Sequence, residues 1–125
     1  MKLHLDKSDQ YNTIARYDAR HVMIGTERIE SNLIVMPALI ERDWHAGGVE
    51  TLDENAFARL AGLGCEIVIL GTGQRQRFPD PRLMRALFEA QIGLEVMDFG
   101  SACRTYNILV AEHRNVAAAL LFDPV

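Results

Sequence analysis

From Cys65 to Leu70 the chain reads Cys-Glu-Ile-Val-Ile-Leu, a short, nearly unbroken apolar run rich in β-branched residues. A strand with one wet face alternates apolar and polar residues, so a run without alternation predicts a strand covered on both faces. Such a strand needs a layer above it and another below. The flanking sequence supplies helices for both. Thr51-Leu52-Asp53-Glu54 has the form of a capping box, in which Thr and Glu satisfy the first free amides of a helix. Phe57, Leu60 and Ala61 then share one face, and Gly62 or Gly64 can end the helix in a left-handed conformation.

Beyond the apolar run come Gly71-Thr72-Gly73 and a basic loop, Gln74-Arg75-Gln76-Arg77. Asp80-Pro81 predicts the next helix start, because Asp accepts from free amides and Pro suits the first turn. Leu83, Leu87 and Ala90 fall on one side of that helix, with Arg82, Arg85 and Glu89 on another. Leu94–Phe99 reads as a strand. Ser101 is the expected cap of a third helix running to about Arg114, with Ala102, Tyr106 and Leu109 inward, and Val116–Phe122 closes as a strand. The order from Thr51 is α-β-α-β-α-β, which predicts parallel neighbouring strands joined by right-handed crossovers.

The first half has a different texture. Residues 1–12 are polar and expected to be frayed or loosely docked. Short strand patterns follow at Thr13–Tyr17 and His21–Ile24, with turns expected at Gly25 and at Ser31-Asn32. Leu33–Met36 is an apolar run stopped by Pro37, and a small antiparallel meander fits the whole region to about Arg42. With 125 residues, 49% hydrophobic and 24% charged, the expectation is one globular α/β domain spanning residues 1–125.

The net charge of −4 disfavours a general nucleic-acid binder, which needs a basic surface. No stretch approaches the roughly 20 apolar residues of a membrane span, and the first residues lack the apolar core of a secretion signal. Cys65 and Cys103 are too few for a disulfide framework and are expected as thiols, which points to the cytoplasm.

Ligands of open α/β sheets bind beyond the carboxyl ends of parallel strands, where Gly71, Gly73 and the Gly100-Ser101 pair are expected. A helix start offers free amides and partial positive charge there, and Arg75, Arg77 and Arg104 could add full charges. Gly71, Gly73, Arg75, Ser101 and Arg104 are therefore the candidate pocket for an anion. The alternative is that Asp98 or another acid simply pairs with Arg104. Gly71-x-Gly73 lacks the third glycine of a dinucleotide fingerprint, and Pro79 and Pro81 delay the helix, so no nucleotide cofactor is expected. Cys103, beside Arg104 in an expected first turn, is a candidate reactive thiol, but a plain buried thiol is the preferred reading. His4, His21, His45 and His113 show no paired spacing, and no metal site is expected. Trp44 lies in a glycine-rich loop as an anchor to the core or as a contact residue.

Three segments carry a resemblance: Ile69–Gly73, Gly93–Met97 and Ala102-Cys103-Arg104-Thr105-Tyr106-Asn107, continued by Glu112-x-Arg114-x-Val116-Ala117-Ala118-Ala119-Leu120. Together they resemble the Mth938-like domain family, small proteins of unknown function. The eukaryotic relatives of that family include a mitochondrial assembly factor for respiratory complex I. The resemblance implies a three-layer α/β fold with a mixed sheet and a protruding β-hairpin, and it brings no catalytic residues. The preferred expectation is a non-enzymatic module with a protein partner, itself open to homo-oligomer formation. The alternative is a small-anion-binding protein or enzyme using the Gly71–Arg77 loop and the Ser101–Asn107 helix start.

Overall fold

The computed structural model describes residues 11–124. Strands β1 (Ile14–Tyr17), β2 (Val22–Ile24) and β3 (Glu27–Ile29) form a small antiparallel sheet. A second sheet has five strands in the order β5-β4-β8-β6-β7. It consists of β4 (Leu33–Met36), β5 (Leu39–Arg42), β6 (Ile67–Thr72), β7 (Gly93–Met97) and β8 (Val116–Leu121). Strand β4 runs antiparallel to β5 and β8, whereas β6 runs parallel to both β8 and β7. The sheet is therefore mixed. The expected single meander is divided between the two sheets. Leu33, Ile34 and Val35 are each 0% exposed, and consecutive burial of that kind belongs inside a sheet covered on both faces.

Three helices complete the fold: α1 (Glu54–Ala61), α2 (Pro81–Glu89) and α3 (Phe99–Ala111). Strand β8 shows how the layers are divided. Val116, Ala118 and Leu120 join a cluster with Phe99, Ala102 and Tyr106 of α3 and with Val22 and Ile29 of the small sheet. Ala117, Ala119 and Leu121 join the opposite cluster, with Phe57 and Leu60 of α1 and Leu87 of α2. The result is three layers, with α3 and the small sheet on one face and α1 and α2 on the other. The connection through α3 carries the chain past β6, so β7 and β8 are parallel without being neighbours.

Several boundaries differ from expectation for local reasons. Asp53, not Thr51, caps α1 by accepting from the Ala56 amide at 2.9 Å. Thr51 belongs to a preceding single 3-10 turn, where its hydroxyl donates to Gly48 O at 3.0 Å. Gly64, beyond the helix end, is the residue with positive φ. Leu87 is buried as expected, but Ala90 lies past the end of α2 and is exposed. Asp80 and Pro81 start α2 as read from the sequence. Of the first 12 residues, Tyr11 and Asn12 are docked: Asn12 donates through its amide to Pro37 O at 2.9 Å and through Nδ2 to Met36 O at 3.0 Å. The rest of that segment lies outside the described residues.

Candidate functional site

The carboxyl ends of β6 and β7 meet the start of α3, as the strand order requires. What fills this crevice is protein. A Cβ on Gly71 would sit 3.0 Å from both Ala102 Cβ and Leu120 Cδ2, so this glycine serves the close approach of α3 to the sheet. Gly73 has φ +87°, and the space where its side chain would stand holds the Asp123 carboxylate. That carboxylate accepts from the Gln74 amide at 3.1 Å, while Gly73 O accepts from Phe99 N–H at 2.6 Å. A negative group already covers the loop that was expected to receive an anion.

The helix start is also satisfied from within. Asp98, rather than Ser101, is the cap, accepting from Ser101 N–H at 2.9 Å and from Ser101 Oγ at 2.9 Å. The Ser101 amide leads the interactions that hold the Asp98 carboxyl below its ordinary value. With Phe99 as the first helical residue, Cys103 and Arg104 move from the first turn to the second, where the helix dipole acts weakly. Arg104 is exposed and donates to Tyr17 Oη and, at 3.3 Å, to Ser101 Oγ. Asp98 accepts from Ser101 and makes no direct bond to Arg104, whose charge helps lower its carboxyl from a distance. Arg77 turns away to Glu50 at 2.6 Å. Among the described residues, no hydrogen bond or ion pair joins the Arg75 side chain to Gly73, Ser101 or Arg104. Gly73, Ser101 and Arg104 thus gather near the helix start, and Arg75 is exposed on the loop.

Cys103 is 0% exposed, and burial pushes its thiol up to about 12, with Arg104 opposing the rise and Asp98 adding to it. The thiolate expected from the helix start and the arginine is outweighed by desolvation. Cys65 is 6% exposed, and its thiol is also raised by burial. Two of the histidines have side-chain partners: His21 Nδ1 lies 2.7 Å from Asp18, and His45 Nε2 lies 2.9 Å from Thr51 Oγ1. No group of three or more metal-ligating side chains occurs among the described residues. Trp44 is half-buried, and its indole N–H donates to Leu120 O at 3.2 Å, which anchors its loop to the central sheet.

The motif that carries the resemblance has a different task from the one expected. Tyr106 Oη donates to Asn12 O at 2.8 Å. Asn107 accepts from Ile14 N–H at 2.8 Å and donates to Ile14 O at 2.9 Å. With Arg104 on Tyr17, three polar residues of α3 hold both ends of β1 and its approach. Sequence reading misses this clamp because its partners stand 87 to 94 positions away. The available signal was a helix whose inward side carries hydroxyl and carboxamide groups, which must be satisfied when half-buried. Open clefts of about 430 and 260 Å³ lie elsewhere, one between α1 and α2 and one beside β7.

This architecture and its clamp define a small α/β domain of three layers built on a mixed sheet, with an N-terminal β-unit tied to one helix. The same fold occurs in a crystal structure of a Bordetella parapertussis protein, with TM-score 0.83 and 32% identity, covering 90% of this chain and 97% of that one. A Bordetella pertussis protein described as a Mth938-like domain matches with TM-score 0.78 and 27% identity, over 90% of this chain and 86% of that one. The chain belongs to the family described as protein of unknown function (DUF498/DUF598), which matches residues 14–121. Among curated relatives, NADH dehydrogenase [ubiquinone] 1 alpha subcomplex assembly factor 3 of Bos taurus is 31% identical over 113 residues, covering 89% of this chain and 61% of the relative. The chain spans less than two thirds of the length of the first such relatives. No helix of the described residues is long and apolar enough to cross a membrane.

Proposed function

We propose that this chain is a non-enzymatic, protein-binding assembly module acting on the NADH:ubiquinone oxidoreductase of its own cell. The observation that carries this reading is the match to a complex I assembly factor across 89% of the chain. The interior supports it: Arg104, Tyr106 and Asn107 are engaged by the small sheet, and Cys103 is sealed in the core, so the motif residues leave no exposed nucleophile and base. A binding module works through its surface, and exposed aromatic residues are the usual anchors of such contacts. Phe78, 68% exposed on the loop before α2, is the natural anchor, because the half-buried Trp44 is committed to the sheet.

The test is purification of the tagged chain from its own cells, with subunits of the oxidoreductase quantified by mass spectrometry. Those subunits should be enriched with wild type and with Cys103→Ala and Arg104→Ala, and depleted with Phe78→Ser. If the subunits are absent, and Cys103→Ala and Arg104→Ala abolish the chain's function in cells, the anion-binding or enzymatic reading replaces this one.

A further inference from the structure

The two edges of the five-stranded sheet are treated differently. At β5, Glu41 and Arg42 are ion-paired with Arg59 and Glu27, and charge at an edge discourages further pairing. At β7 no further strand lies outside the edge among the described residues, and the groups left over follow from the parallel ladder. Gly93 N–H bonds inward to Glu66 O at 2.9 Å, so Gly93, Glu95 and Met97 turn their backbone groups toward β6. Leu94 and Val96 turn theirs outward. The Val96 carbonyl is taken by Gln76 Nε2 at 2.9 Å, and the Ile92 N–H by Leu87 O at 2.9 Å. Among the described residues, nothing pairs with the Leu94 N–H, the Leu94 carbonyl or the Val96 N–H, which remain for a partner.

The geometry points to a symmetric dimer in which β7 pairs antiparallel with β7 of a second copy, centred on Leu94. In that register the two Leu94 residues exchange both of their hydrogen bonds, and each Val96 N–H faces Ile92 of the other copy. The two backbone groups absent from this pattern are the two already bonded within each chain. Charge agrees with the register. Glu95 stands opposite Gly93 of the second copy, not opposite the second Glu95, so no like charges meet. Beside the edge lies an apolar groove of about 260 Å³ lined by Met84, Leu87, Phe88, Ile92, Gly93 and Leu94. Phe88 is 82% exposed there, an apolar surface beside the edge that a second copy would cover. The inference is independent of the assembly reading above.

Sedimentation equilibrium of the full chain from micromolar to submillimolar concentration tests it, with circular dichroism as the control for folding. Wild type should dimerise. Phe88→Asp, at a position exposed in the single chain, should weaken dimerisation by about tenfold or more. A side chain at Gly93 meets only ordinary contacts at 3.6 and 3.7 Å, so Gly93→Glu should fold. It places a second carboxylate against Glu95 of the other copy and should also weaken the dimer. Adding Glu95→Lys to Gly93→Glu sets opposite charges across the two-fold axis and should restore the affinity. A wild type that stays monomeric overturns the proposal, even if the groove later proves to take a segment of another protein. So does a dimer indifferent to Phe88→Asp, or one that the double substitution fails to restore.

Discussion

Both backbone groups of Ile14 are held by one side chain, the carboxamide of Asn107, which accepts from its N–H at 2.8 Å and donates to its carbonyl at 2.9 Å. The helix thereby offers β1 what a neighbouring strand would offer. The small sheet needs this help, since three short strands bury little surface by themselves.

Asn107→Asp keeps the size and the acceptor but loses the donor. Leaving the half-buried Ile14 carbonyl without a partner, beside a carboxylate, should cost about 1–3 kcal/mol. Urea unfolding measures the loss, and amide exchange at Ile14 should quicken. An Asp variant with the wild-type midpoint would show that the carbonyl finds another donor.

The two thiols should differ in the order opposite to a helix-dipole argument. Cys65, 6% exposed, should be alkylated before Cys103, which is fully buried with its thiol pushed up to about 12. Competitive labelling read by mass spectrometry decides the order. Faster labelling of Cys103 would mean that α3 opens locally more often than the start of β6.

Phosphate should leave the melting temperature unchanged when ionic strength is matched with chloride. A ligand that binds only the folded state must stabilise it, and Asp123 occupies the ground beside Gly73 where the anion would sit. A rise that disappears in Arg104→Gln would establish an anion site at this helix start.

Asp98 predicts a pH dependence. Asp98→Ala removes the cap of α3 and should cost about 1 kcal/mol at neutral pH. Folding lowers the Asp98 carboxyl below its ordinary 3.8, so its contribution is complete above that value. The contribution is lost as pH falls through the lower, folded-state value. The stability gap between wild type and Asp98→Ala should therefore close in strong acid. A gap that persists there would assign the effect to packing. Asp98→Asn, which retains an acceptor, should show a smaller gap at neutral pH and less dependence on acid.

Some boundaries set by chemistry within one turn were readable in the sequence, although the cap of α1 was not. Asp80-Pro81 opens α2, and Leu33–Met36 ends before Pro37, because capping and the rigidity of proline act locally. The start of α3 was not readable by the same means. Asp98 and Ser101 are both good caps three residues apart, and Phe99 looks like the end of a strand. Burial of the Phe99 ring between Tyr17 and Phe122 draws it into the helix and selects Asp98, and both of those neighbours are remote in sequence.

The sequence by itself determined the alternation of helices and strands, the burial of β6 on both faces, and the family, because hydrophobic pattern and short motifs are written along the chain. Only the tertiary structure decided that β1–β3 leave β4 for a sheet of their own, and that β8 lies between β4 and β6. It also decided that the Arg104–Asn107 motif is a clamp and that Cys103 is a core thiol. Each of these depends on which distant groups arrive beside a residue. At a helix start that carries an arginine and a cysteine, the arrival of Asp123 and Tyr17 and the burial of Cys103 set hydrogen bonding and desolvation against the local dipole.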